Sequence, residues 1–285
     1  MDREDIRKYQ LAQLALLKQV DSICNKLQLK YYLVYGTLIG AVRHNGFIPW
    51  DADVDVALFR DDYEKLKEFF CKQPIENLFY QHYETDANHI LPHAVLRIEG
   101  THVIYNYQRS SRYKSKHDGI YIDIFPIDNL TNDEKLRKTQ ARKYILCRRI
   151  IELKAAPIYG DKTSIIKKVT KAFVSIILSP ISFRYLNEKA DNYMKMYNNE
   201  ESEYVVIFTN PRNLERYSFP KEYFGTPKEV LFEGELFPAP QDTNAFLSIH
   251  YGDYMKLPPE TERWGYLDEA IDHVEYGNLE NTVLC

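Results

Sequence analysis

Residues 34–58, VYGTLIGAVRHNGFIPWDADVDVAL, join a glycine turn to a pair of carboxylates two residues apart. Side chains on a strand alternate between faces, so Asp53 and Asp55 point to one side while Val54, Val56 and Leu58 point to the other. Two carboxylates on one face repel each other, a cost that a divalent cation between them offsets. Hard oxygen ligands on a rigid strand suit Mg²⁺ or Mn²⁺ holding a phosphate. Upstream, residues 31–35 read as a buried strand, and Gly36-Thr37 opens the next helix, where free N–H groups and the helix dipole favour an anion. An Asp-x-Asp pair alone is more often a loop calcium site, a cap or a solvated edge. The order apolar strand, Gly-Thr, short helix, Asp-hydrophobic-Asp is what carries the reading.

Periodicity organises the rest. Residues 3–27 read as an amphipathic helix, with Leu16, Val20, Ile23 and Leu27 at helical spacing. Asp61 or Asp62 can cap a helix carrying Tyr63, Leu66 and Phe69 or Phe70, which returns across the sheet. His89 and His93 are four apart, but Pro92 spoils the helix that would align them, which argues against a metal-binding pair. Cys24, Cys71, Cys147 and Cys285 form no C-x-x-C pair, so reduced thiols are expected.

Residues 36–58 resemble the signature of the LicD family, within the nucleotidyltransferase fold. Its members include bacterial phosphocholine transferases, and it is related to the fukutin-related proteins. Residues 119–128, GIYIDIFPID, are similar to the family's second acidic strand; alternation sets Tyr121, Asp123 and Phe125 against Ile120, Ile122 and Ile124, making Asp123 the natural third carboxylate. Asp128, beyond Pro126, reads as a turn or cap. Residues 232–240, FEGELFPAP, and 251–259, YGDYMKLPP, resemble the closing motif, so the resemblance spans roughly residues 30 to 260. Three departures stand out. Ala52 replaces an Asp common in the family's acidic run; Val95-Leu96-Arg97 with Thr101 lacks the family's lysine; and residues 261–277, TERWGYLDEAIDHVEYG, follow no family pattern.

The resemblance implies an α/β (α+β) fold: a nucleotidyltransferase-like mixed sheet flanked by helices, with an additional basic helical lobe. The expected division is a catalytic core at 1–130, a basic helical insertion at 131–200, and a C-terminal part of the same catalytic unit at 201–285. The implied activity is a metal-dependent transfer of a phospho-alcohol, phosphocholine first and a polyol phosphate second, from a CDP-activated donor. The acceptor is a hydroxyl of a cell-surface glycan or of its lipid-linked precursor. Asp53 and Asp55 are the expected ligands of Mg²⁺ or Mn²⁺, with Asp123 as third ligand or general base. Gly36 and Thr37 are expected on phosphate oxygens. Arg43 suits phosphate charge or a nearby acid, and Trp50 suits a base, a trimethylammonium group or simple packing. His44 and Arg97 complete the substrate-binding candidates. An Asp-x-Asp nucleotide-sugar glycosyltransferase and an inactive glycan-binding fold member are the alternatives.

With 285 residues, 45% hydrophobic and 14% aromatic, the chain can bury a substantial core. Residues 1–10, MDREDIRKYQ, are charged where a signal peptide needs an apolar region, so a cytoplasmic protein is expected. Residues 135–187 carry 13 Lys and Arg against Glu152 and Asp161, a local +11 in a chain of net −4. Within them, residues 165–186 mix Lys167, Lys168, Lys171 and Arg184 with apolar side chains over a length too short to span a bilayer. A basic helix peripheral to the anionic inner face of the cell membrane fits, as does a solvated helical arm. No recognition motif accompanies the charge, so no nucleic acid polymer is expected as a partner.

Overall fold

In the computed structural model, which describes residues 3–105, 117–155, 173–174, 176–209, 214, 216–263, 271–277 and 279, a seven-stranded mixed sheet forms the spine of the molecule. The helical spacing near the start becomes α1 (Arg3–Leu27), which buries Tyr9, Leu16, Leu17, Val20 and Ile23. Gln13, also buried, donates from Nε2 to the Tyr121 carbonyl at 2.9 Å and ties α1 to the centre of the sheet. Then follow β1 (Tyr31–Leu33), α2 (Tyr35–His44), β2 (Asp55–Phe59), α3 (Arg60–Lys72), β3 (Leu78–Gln81), β4 (Ala94–Ile98), β5 (His102–Tyr105) and β6 (Tyr121–Leu130).

The strand order is β1-β2-β6-β4-β3. β2 and β6 run parallel, Asp55 facing Asp123 in register, while β1–β2, β6–β4 and β4–β3 are antiparallel. Strands buried on both faces need apolar side chains throughout, and Val56, Ala57, Leu58, Ile122 and Ile124 are all fully buried. β6 is longer than its neighbours, and its far end pairs with β7 (Tyr204–Val206), itself paired with β8 (Ser218–Pro220). The fold is a mixed sheet flanked by helices, in the α/β (α+β) class expected from the sequence.

α4 (Glu134–Ala155) and α5 (Phe183–Met194) pack on each other beside the sheet. They build two small cores, one of Leu130, Tyr144, Met194, Val206 and Phe208, the other of Ile151, Phe183 and Leu186. The main core draws on both ends of the chain, joining Tyr9 and Leu16 to Phe219, Phe232 and Phe246. The hairpin β9 (Lys228–Phe232) to β10 (Glu235–Ala239), α6 (Thr243–Tyr251), the short α7 (Glu260–Arg263) and β11 (Ile271–Glu275), which pairs with β5, complete the described elements.

Several local expectations are corrected. β1 ends at Leu33, and α2 begins one residue before the glycine because Tyr35, at φ 51°, takes a left-handed turn that breaks the strand. Asp53 precedes β2, since the ladder starts where the Asp123 N–H reaches the Val54 carbonyl at 2.8 Å. Neither Asp61 nor Asp62 caps α3: the N-cap is Phe59, and Asp62 instead accepts from the Lys30 N–H at 3.1 Å. Asp128 is no turn residue. It lies inside β6, fully buried, where it pairs with Arg60 at 2.6 Å.

Cys24, Cys71 and Cys147 carry no disulfide. No helix of the described residues is long and apolar enough to cross a membrane. Lys167, Lys168 and Lys171 lie outside the described residues. Of the segment 165–186 that carries them, Phe173, Ile176 and Ile177 are described and exposed.

Candidate active site

The acidic residues converge because β2 and β6 lie side by side within the sheet and α2 packs on β2. Thr37 is the clasp: its Oγ1 accepts the Asp55 N–H at 2.8 Å and reaches the Asp53 carbonyl at 3.5 Å. The hydroxyl expected on a phosphate is thus engaged in holding the acidic strand. Gly36 is required for a different reason. A Cβ placed on it would stand 2.5 Å from Asp51 Oδ2, so only glycine lets that carboxylate approach the first turn of α2.

Asp51 is the member of the cluster that the sequence reading passed over. Its signal was present, since it lies two residues before Asp53 with Ala52 between. Gln10 Nε2 fixes the chain here by donating to the carbonyls of Ile48 at 3.2 Å and Asp51 at 2.7 Å.

Asp51, Asp53 and Asp55 keep some surface exposure, yet protein surrounds them closely enough to penalise their charge. Burial pushes the Asp51 carboxyl up to about 6, against the pull of the Ala52 and Asp53 backbone. Asp53 is held well above the usual carboxylate range by burial and then by the charges of Asp51 and Asp123. Burial likewise raises Asp55, followed by Asp123, Asp53 and Asp51. The Tyr251 phenol is also raised, by burial and then by Asp55 and Asp51, which places its ring beside the cluster.

Asp123 is tied from the neighbouring strand. His93, just ahead of β4, donates from Nε2 to Asp123 Oδ1 at 2.8 Å, and its ring packs 4.2 Å from that of Phe125. His89 Nε2 donates in turn to the His93 carbonyl at 2.8 Å. The two histidines therefore form a brace behind a carboxylate, an arrangement that a search for helical pairing cannot find.

The remaining candidates divide. At the end of α2, Arg43 donates from Nε to His44 Nε2 at 3.0 Å and from Nη1 to the Tyr254 carbonyl at 2.8 Å. The His44 ring meets Trp50 edge-on with centroids 6.0 Å apart. Arg97 is engaged within the sheet, donating to Gln81 Oε1 at 2.5 Å and to the Gly119 carbonyl at 2.7 Å over the ring of Tyr121.

The donor set of the acidic cluster suits a hard divalent cation: carboxylates only, with Asp51 disfavoured as an anion by burial and Asp53 and Asp55 by burial and by neighbouring carboxylates. As the side chains stand, no three His, Cys, Asp or Glu residues among those described form a group that could hold a metal ion.

A mixed sheet carrying paired acids behind a Gly-Thr helix start defines a nucleotidyltransferase-like domain. The profile described as "LicD/FKTN/FKRP, nucleotidyltransferase domain" matches residues 28–151. The lipopolysaccharide cholinephosphotransferase LicD of Haemophilus influenzae is 27% identical over 266 residues, 92% of this chain and 96% of that protein. Over a shorter stretch, the ribitol 5-phosphate transferase FKRP of Homo sapiens is 28% identical across 75 residues, 21% of this chain and 15% of that protein. An uncharacterized protein of Rickettsia prowazekii, RP689, is 35% identical over 71 residues, 23% of this chain and 27% of its own. Residues 28–151 thus match a LicD-type nucleotidyltransferase domain, and the likeness to the Haemophilus influenzae protein extends it along 92% of the chain.

Proposed function

We propose that this protein transfers a phospho-alcohol group, phosphocholine first, from a CDP-activated donor to a hydroxyl of a cell-surface glycan or its lipid-linked precursor. The observation that carries the reading is the facing of Asp55 and Asp123 across two parallel strands, with Asp51 and Asp53 crowded beside them. The match along almost the whole length of a lipopolysaccharide cholinephosphotransferase supports it.

In this scheme the acceptor hydroxyl oxygen bonds to the phosphorus bearing the alcohol, the bond from that phosphorus to the CMP oxygen breaks, and CMP leaves with the electron pair. Asp53 and Asp55, with Asp123 as third ligand or general base, would hold Mg²⁺ or Mn²⁺, which would supply charge neutralisation for the diphosphate. His93 fixes Asp123 through Oδ1. Oδ2 remains for the cation or for the hydroxyl proton. Thr37 keeps the strand bearing Asp55 in register with the start of α2. Gly36 leaves the first turn open toward Asp51.

The test is incubation with CDP-choline, CDP-ribitol and CDP-glycerol in Mg²⁺ or Mn²⁺, following CMP release, with ³¹P NMR of the product. CMP release and a new phosphodiester are expected. Consumption of a nucleotide sugar, with no phosphorus in the new linkage, would show a glycosyltransferase instead.

Peripheral contact with the anionic inner face of the cell membrane belongs to the same proposal. It is supported by the charge of residues 135–187 and by the exposure of Phe173, Ile176 and Ile177.

A further inference from the structure

We propose that Arg43 and Arg263 form a phosphate-binding pair at the C-terminal end of α2, a subsite that rests on the transferase reading above and adds a second group from the far end of the chain. Arg263 lies in residues 261–277, the stretch that follows no family pattern.

Several observations converge on the pair. The guanidinium of Arg43 is disfavoured as a cation, first by burial and then by the charge of Arg263, so the fold brings two like charges together at a cost. No carboxylate pairs with Arg43 among the described residues. Among the described residues Arg263 pairs with Glu260, whose Oε1 is 3.8 Å away on a side chain that is 89% exposed. An anchoring role needs one arginine, and each of these is already anchored: Arg43 Nη1 to the Tyr254 carbonyl at 2.8 Å, Arg263 Nε to the Pro258 carbonyl at 2.8 Å. Both carbonyls belong to the segment after α6. They hold the two planes while leaving Arg43 Nη2 and Arg263 Nη2 for an anion, with Arg263 Nη1 engaged only by the exposed Glu260.

The aromatic setting orders the pair further. Arg263 lies over the Trp50 ring, 5.2 Å from its centroid, and His44 meets the same ring from another side. Such stacking fixes a guanidinium plane and leaves its edge donors exposed, the geometry that receives phosphate oxygens. Trp50 immediately precedes Asp51, so the pair adjoins the acidic cluster through one peptide bond. Carboxylates prepared for a cation and arginines prepared for an anion thus flank one stretch of chain. A phosphate group matches the second half.

Calorimetric titration of the full-length protein tests the pair, using inorganic pyrophosphate, CDP and cytidine against wild type, Arg263→Gln and Arg263→Lys. Arg263→Gln is expected to weaken pyrophosphate and CDP roughly 10- to 100-fold, the scale of one lost charge-assisted contact, with cytidine unchanged and Arg263→Lys intermediate. Two kinetic arms separate the source of the phosphate. A raised donor KM assigns it to the donor diphosphate; a KM raised only for a phosphorylated acceptor, against its unphosphorylated form, assigns it to the acceptor. Equal pyrophosphate and CDP affinities in wild type and Arg263→Gln would overturn the pair. Failure of the transferase reading is separate: wild type would release no CMP from any CDP-alcohol, and the pyrophosphate comparison would still decide the pair.

Discussion

Asp55 and Asp123 face each other in register on neighbouring parallel strands, and the charge of Asp123 helps to hold the Asp55 carboxyl above its usual range, after burial. In β-sheets, like charges directly opposite destabilise. Removing one should therefore abolish transfer without harming the fold. Asp53→Ala and Asp55→Ala are expected to eliminate CMP release at saturating Mg²⁺, and Asn at either position should do little better. In EDTA at pH 8 both alanine variants should be at least as stable as wild type, because each removes a carboxylate whose charge burial and its neighbours disfavour. Near-normal turnover by either would remove the shared-cation site.

Gly36→Ala separates activity from stability. Alanine is the better helix former by roughly 1 kcal/mol, yet its Cβ would stand 2.5 Å from Asp51 Oδ2 and displace that carboxylate. The expected outcome is a kcat lowered about tenfold or more, the cost of a misplaced group beside the chemistry, with a melting temperature near that of wild type. Normal turnover in this variant would mean that the position of Asp51 is immaterial.

Asp123 and Asp128 share one strand and make opposite predictions. Asp123→Asn should lower kcat by about 10²-fold or more, and His93→Asn, which removes its brace, by roughly 10-fold with little change in stability. Asp128 is fully buried, pairs with Arg60 at 2.6 Å and accepts from Asn198 Nδ2 at 2.6 Å. Asp128→Asn leaves the buried guanidinium short of one partner, though Asp191 remains at 2.8 Å, so unfolding in urea should show a loss of about 3 kcal/mol. Turnover per folded molecule should stay normal. Reversed profiles would exchange the roles of the two aspartates.

Strand alternation and the Gly-Thr turn single out Asp53, Asp55 and Asp123, and the fold brings the three together, Asp55 facing Asp123 in register while Asp53 lies just ahead of β2. α1 was legible over its whole length as a sustained apolar stripe. What failed was non-local. Nothing near Asp128 announces Arg60, 68 residues away, and a proline two residues earlier pointed to a turn. His93 acquires its partner only once β4 pairs with β6, and Arg263 meets Trp50 only when the two ends of the chain pack together. The sequence places Thr37 on a phosphate, whereas its hydroxyl bonds the neighbouring strand, a use visible only once α2 packs on β2.

The basic stretch predicts a surface property independent of the chemistry. Each lysine near an anionic membrane contributes roughly 1 kcal/mol, so changing Lys167, Lys168 and Lys171 together should alter binding by about two orders of magnitude. Exposed Phe173, Ile176 and Ile177 supply apolar contact that charge alone would not. Wild-type protein should sediment with liposomes rich in phosphatidylglycerol but not with phosphatidylcholine alone, and the attraction should weaken as salt rises. The triple Lys→Glu variant should stay in the supernatant while still releasing CMP with a soluble donor and acceptor. Wild-type sedimentation indifferent to lipid charge would leave these residues as a solvated arm of the helical lobe.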